Sequence, residues 1–387
     1  MDEDKYMRYF GIQFFNQFKC AQGDCPQTCC KGWQILIDAH TMEQIEKEPE
    51  DKRRELKRHI AGMRKGQPQI RKNFGRCPYH TKEQLCGLQL GKRTDLMPRV
   101  CREYPRRTVS FGSFAEITME LACPVVAQLF LEEKEMFSMQ PLGEQEHEVL
   151  WKIGNEDPAF LEWLQQLREI LVKEAQQVMS FDAAFLQHQY VCVDTLHEML
   201  MRNKLKDAKQ ILEKYEQDVW EEHRPEDTKR IFFSMELVDK VIAHLLDTPN
   251  LAINNPKLKK VIQTYYHIYN AKTAGEAERM LEATWEQMEQ ELPGTYEKYR
   301  KYYIYYLYEM LLCAYEDYHI LKVMLLGNMY LELYMVLDAV CFTFCKQKNK
   351  QYDMAMQAEL LAALERRMRH NTSVADGILE RLRKEFL

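Results

Sequence analysis

The stretch "CAQGDCPQTCCKGW" at residues 20–33 sets Cys20, Cys25, Cys29 and Cys30 within eleven positions, and Cys77, Cys86, Cys101 and Cys123 follow. Thiols at this density cross-link, ligate a metal ion or ligate a cluster. Disulfides suit a short secreted domain. Against that, this chain has 387 residues, carries scattered further cysteines, and opens on acids ("MDEDKYMRYF") with no basic region leading into an apolar run. Structural zinc usually uses C-x₂₋₄-C knuckles, whereas the gaps here are 4, 3, 0, 46, 8, 14 and 21 residues and no CxxC occurs. Iron–sulfur ligation tolerates such spacing, because a cluster several ångströms across is reached from separate loops. Cys25-Pro26, Cys77-Pro78 and Cys123-Pro124 add three Cys-Pro steps, the exit also found in ferredoxin-type runs. The spacing therefore favours an iron–sulfur centre, with zinc and then disulfides as the alternatives.

The adjacent Cys29 and Cys30 sharpen the question. In an extended chain neighbouring side chains point to opposite sides. Either one thiol ligates and the other packs, or two centres share the segment, and eight cysteines suffice for two four-cysteine centres. The remaining Cys192, Cys313, Cys341 and Cys345 read as small buried hydrophobes.

Charge is unevenly distributed. Residues 51–107 hold 17 Lys/Arg against 5 Asp/Glu, a net +12, which leaves −18 for the rest of a chain whose net charge is −6. A basic island in an acidic chain marks an anionic partner or simply a solvated face. Arg76, Arg99, Arg102, Arg106 and Arg107 lie close to cysteines, where they would offset a negatively charged cluster and lower thiolate pKa values. Nucleic-acid binding is disfavoured by the acidic chain as a whole.

The elements that must position these groups fall into two parts. Residues 1–140 read as a cysteine-rich α+β metal-binding domain and 141–387 as an α-helical domain, a mainly α chain with no Rossmann sheet. The first part holds a short helix at about 5–18, a strand at 33–38, a helix at 41–67 with Thr41 as N-cap, and a hairpin over 107–121 turning at Gly112. The loop 138–147, with Pro141 and Gly143, marks the boundary. Beyond it, Asp157-Pro158 and Asn255-Pro256 read as N-caps with proline in the first helical position. Phe160, Leu164, Leu167 and Leu171 form an apolar helical stripe, and residues 372–387 a closing amphipathic helix. No stretch of about 20 uncharged apolar residues is evident, so a cytoplasmic protein without a membrane span is expected.

The succession Cys20-x₄-Cys25-x₃-Cys29-Cys30-Lys31-Gly32-Trp33, "RCPYH" (76–80), "CGLQ" (86–89), "CREYPRR" (101–107) and "LACPVVAQLFL" (121–131) resembles the flagellin lysine-N-methylase family. More distantly it is similar to the CxxCxxCC-type iron- or zinc-chelating domain. The likeness is strong over residues 8–135 and weak beyond, where it includes "YEKYRKYYIYYLY" at 296–308. The resemblance implies a methyltransferase that uses S-adenosylmethionine to methylate lysine amines on flagellin. It also implies an iron–sulfur centre, of the 4Fe-4S type, with all eight N-terminal cysteines as candidate metal ligands in one centre or two.

Methyl transfer to lysine needs a neutral amine and a site that tolerates the cationic donor. Tyr296, Tyr299, Tyr303 and Tyr306 recur on one helical face, so Tyr299, Tyr303 and Tyr306 are candidates for cation–π contact with the donor, the plainer reading being a packed stripe. Glu309 and Glu316 are nearby candidate bases on a weak signal, which leaves the catalytic residue unassigned. Arg102 and Arg106 are candidates for the donor's carboxylate or for cluster neutralisation. The chain carries no Gly-rich strand–loop–helix fingerprint and no CxxxCxxC triad, which favours polar displacement beside a structural cluster. The alternative function is a metal-binding interaction module without transferase activity.

Overall fold

A computed structural model describes residues 7–386 apart from 32, 65, 144–148, 155–156, 219–221, 223, 226–228, 250 and 252–254. The protein is mainly α, with a small mixed sheet near the N-terminus. Five strands, β1 (Arg8–Ile12), β4 (Arg106–Ser110), β5 (Phe114–Met119), β6 (Met139–Pro141) and β7 (Trp151–Lys152), pair in the order β6-β1-β5-β4-β7. β1 runs parallel to β5, and β4 runs antiparallel to β5 across the expected hairpin, where Gly112 takes φ +90°. The expected strand at 33–38 appears as short ladder contacts, Ile70 N donating to Ile35 O (2.9 Å) and Ile37 N to Pro68 O (2.8 Å).

Two local expectations change. The helix expected at 5–18 is strand β1 followed by a 3-10 turn at Phe15–Gln17, its first residues lying outside the described ones. Aromatic and β-branched residues in "RYFGI" suit a pleated strand, and pairing with β5 decides the outcome. The helix expected at 41–67 is instead two helices, Ala39–Lys47 and Glu50–Arg58, followed by β2 (Ile60–Arg64) and β3 (Gln67–Ile70). Pro49 separates the two helices because its ring cannot continue the first. The N-cap of the first is Asp38, whose side chain accepts from Thr41 N, so Thr41 is the receiving turn and not the cap.

The C-terminal two-thirds is a helical body. Helix Pro158–Gln177 starts at the expected Asp157 cap and helix Pro256–Tyr269 at the expected Asn255 cap. Phe160, Leu164, Leu167 and Leu171 are fully buried, as their spacing requires. The helix Ile320–Gln347 runs through the centre, packed by helices Ala183–Met201, Thr295–Met310, Ala274–Glu291 and Met354–Arg369. It is long and apolar enough to cross a membrane by length and composition, a stretch the sequence reading passed over, yet 94% of its most apolar window is buried inside the protein. The sheet takes β6 and β7 from around and beyond residue 140, and one hydrophobic core runs from Phe14, Val109 and Phe130 into the helical body. Helix Met354–Arg369 packs along helix Pro124–Glu132 and ties the two parts together.

Candidate metal centre

The N-terminal thiols are delivered by several short devices. Cys25 closes the 3-10 turn Gln22–Asp24, Cys86 and Cys123 precede helices Gly87–Leu90 and Pro124–Glu132 as their N-caps, and Cys101 sits within helix Arg99–Glu103. Cys77 N donates to Cys30 O at 3.0 Å, and a bridge between Lys31 and Arg76 holds those two loops side by side. Asp38 Oδ2 accepts from Arg99 N at 2.7 Å, which fixes the start of the Cys101 helix. All twelve cysteines are free thiols.

Two adjoining cavities collect the eight. The first, of about 360 Å³, is lined by Cys20, Cys25, Cys29, Cys30, Cys86 and Cys123. The second, of about 310 Å³, is lined by Cys20, Cys29, Cys30, Cys77, Cys86 and Cys101. The thiols ring these spaces without converging on a point: among the described residues no three His, Cys, Asp or Glu are placed to hold a single metal ion. Cys192 and Cys345 are buried and Cys313 and Cys341 half-buried, all outside both cavities.

Electrostatics follow from burial. Desolvation pushes Cys77 and Cys123 up to about 11 and raises Cys25 and Cys101 as well. Cys29 and Cys30 are hydrogen-bonded to each other, which raises Cys29 and lowers Cys30. A metal would therefore have to displace protons from most of these thiols. Two cations, half-buried Lys72 and buried Arg366, stand ready for the resulting charge. Lys72, its pKa lowered by burial, neighbours Cys77, Cys101 and Cys30 and donates to Trp33 O. Arg366, 5% exposed, donates to Thr28 O (3.0 Å), Gln27 O (3.3 Å) and Ala122 O (3.1 Å) and lines the first cavity.

Arg366 was not foreseen from the sequence. The one local signal is a basic run, "ERRMRH", set in an Ala- and Leu-rich helix in which Arg366 and Arg367 are buried. Tyr104 lines both cavities, and its hydroxyl and the Arg366 Nε are buried with no hydrogen-bond partner among the described residues. Behind Tyr104, Trp33 stacks against it and against His370 (5.4 and 5.1 Å between ring centres), and His370 Nε2 meets Glu120 Oε2 at 3.2 Å.

The candidate donor contacts divide. Arg102 and Arg106 line the second cavity, Arg102 donating to Met97 O (2.5 Å) and Arg106 lying over the rings of Phe15 and Phe18. Tyr299, Tyr303 and Tyr306 lie away from both cavities, in the packed arrangement that was the plainer reading of their spacing. All three are buried in the helical core, Tyr299 donating to Asp338 (2.9 Å), Tyr303 to Gln189 (2.6 Å), and Tyr306 packing edge-on to Tyr330. A helix of alternating tyrosines needs partners for its hydroxyls when buried, and here the core supplies them. Glu309 is likewise buried, accepting from Arg369, while Glu316 is exposed.

No family model matches the chain and no solved structure matches it. Among curated proteins, Lysine-N-methylase of Salmonella typhimurium is 24% identical over 153 residues, 38% of this chain and 37% of that protein. The Lysine-N-methylase of Salmonella choleraesuis matches to the same extent, 24% over 153 residues. Flagellar biosynthetic protein FliU of Salmonella muenchen is 25% identical over 132 residues, 33% of this chain and 78% of that protein. The chain thus spans only 37% of the length of the lysine-N-methylases it matches. The likeness to the flagellin lysine-N-methylase family rests on these low-identity matches over 33–38% of the chain.

Proposed function

We propose that this protein is an S-adenosylmethionine-dependent lysine N-methyltransferase acting on flagellin in the cytoplasm, with an iron–sulfur centre held by its N-terminal cysteines. The observation that carries the metal part is the ring of eight thiols around two adjoining cavities with half-buried Lys72 and buried Arg366 beside them. The names of the partial relatives carry the transferase part.

The donor set fits a cluster better than a lone zinc ion. Thiols spread around a cavity reach the corners of a cluster, whereas zinc needs four ligands about 2.0–2.3 Å from one point. The unpartnered hydroxyl of Tyr104 and the Arg366 guanidinium supply donors toward such a group, which tune it in the way outer hydrogen bonds tune metal sites. A bound cluster supplies a fixed negative charge and a cross-link between the cysteine loops. Arg102 and Arg106, the two guanidinium groups on the second cavity, hold and orient the donor's carboxylate. The substrate amine must lose its proton before attack, because free lysine has a pKa near 10.4.

The test is intact-mass analysis of flagellin co-expressed with and without this protein. A ladder of methyl increments appearing only with it is the expected result, and an unchanged mass would remove the activity. A second reading, a metal-binding interaction module, draws support from the burial of the three tyrosines, which takes them out of the donor site. Calorimetric titration of metal-replete protein with S-adenosylmethionine separates the two: no binding favours the module.

A further inference from the structure

We infer that the eight thiols form two separate four-thiolate centres, Cys20, Cys25, Cys29 and Cys123 in one and Cys30, Cys77, Cys86 and Cys101 in the other, with the Cys29-Cys30 peptide as the seam between them. This rests on the metal-holding part of the proposed function and adds to it the number of centres and the allotment of each cysteine.

The two cavities differ in the residues they do not share. Cys25 and Cys123 line only the first, Cys77 and Cys101 only the second. The neighbours of each exclusive pair fall mainly within its own group, although Cys25 also feels Cys30. Cys123 is in electrostatic reach of Cys25 and Cys20. Cys101 is in reach of Cys77, Cys30 and Cys86, and Cys77 of Cys30 and Cys86. Backbone pairing from Cys77 N to Cys30 O places Cys30 with the second group. That leaves Cys29 for the first, although it also feels Cys101 across the seam.

The two cations divide the same way. Arg366 acts on Cys25 and Cys29, both of the first group. Lys72 sits among Cys77, Cys101 and Cys30, all of the second. One cation per group is what two anionic centres need, since a buried charge without a counter-charge is strongly disfavoured. The Cys29 and Cys30 thiols face each other, which puts one thiol of the dipeptide on each side of the seam between the two groups.

The experiment is a count of metal and acid-labile sulfide on full-length protein purified and reconstituted without oxygen. The wild-type chain should bind about eight iron and eight sulfide, two four-iron centres each with four cysteines. The variant Cys25→Ser/Cys123→Ser and the variant Cys77→Ser/Cys101→Ser should each lose half and keep half. Electron paramagnetic resonance of reduced wild type should show two interacting spins, and each variant a simple isolated signal. About four irons in wild type, or complete loss from either variant while circular dichroism stays native, would overturn the partition. If a variant does not fold, the wild-type count and spectrum alone decide. Two zinc ions, halved by each variant, would keep the partition while removing the iron–sulfur reading; one zinc ion would remove both.

Discussion

The cysteine-rich face and the helical body are built on opposite terms. The loops that carry Cys29 to Cys101 have only two small apolar clusters of their own, one around Ile35, Ile37 and Ile70, the other around Ile45, Leu56 and Leu96. The helical body shares one extended core in which whole side chains such as Trp163, Trp285 and Tyr334 are fully buried. Burying an aliphatic side chain contributes about 1.5–3 kcal/mol, so two clusters of three buried residues each, edged by half-buried ones such as Trp33 and Tyr79, contribute far less than the extended core of the body. The body stands on hydrophobic burial; the face carries thiols and cations around two cavities, where the proposed metal would add cross-links between its loops.

That contrast can be broken most visibly by stripping the metal. Chelation of the loaded protein should leave helical dichroism nearly intact while amide exchange in residues 20–101 becomes fast. Equal loss of protection in helix Ile320–Gln347 would show that the two regions are not independent in this sense.

Within the body, the deepest vulnerability is charge. Arg369 donates to Glu309 and Glu365, carboxylates that are 4% and 1% exposed. Arg369→Ala should cost about 3–5 kcal/mol in urea unfolding, because it leaves buried carboxylates uncompensated. A cost below about 1 kcal/mol would mean that the carboxyls are already neutral.

A gentler effect comes from Glu332. It is fully buried, accepts from Phe232 N and Phe233 N (2.9 Å for the latter), and burial raises its pKa to about 8. Its folded pKa lies above the unfolded value near 4.3, so the folded state binds the extra proton between the two. Stability from this group is full below the unfolded pKa and is lost as pH rises toward 8. Glu332→Gln should flatten that decline in a series of melts, and an unchanged slope would place the titration elsewhere.

The smallest effect expected is at a cap. Asp353 caps helix Met354–Arg369 by accepting from Met356 N (2.9 Å), and Asp353→Ala should cost about 1 kcal/mol. If it also lowered metal content, helix position and the Arg366 contact would be coupled more tightly than drawn here.

Much of the body was legible because its signals are local. The Asp157 and Asn255 caps and the Phe160–Leu171 stripe follow from short-range spacing, and the hairpin around Gly112 from turn chemistry. The eight cysteines were legible as a set because thiol density and uneven gaps are local too. What escaped depends on partners far along the chain. β1 exists because it pairs with β5 a hundred residues away, and Arg366 reaches Thr28 across a separation of 338 residues. The surroundings of the tyrosine run were hidden for the same reason: its spacing shows a face, and only the surrounding helices show that the face is covered. Pro49 was readable and underweighted, since a proline at that place already forbids one continuous helix.

The most direct measurement is transfer of isotope-labelled methyl from S-adenosylmethionine to purified flagellin, comparing metal-loaded protein, stripped protein and Cys77→Ser/Cys101→Ser. The methylase reading predicts label on flagellin lysines with the loaded protein and a large loss with the other two. No label from fully loaded protein would contradict it.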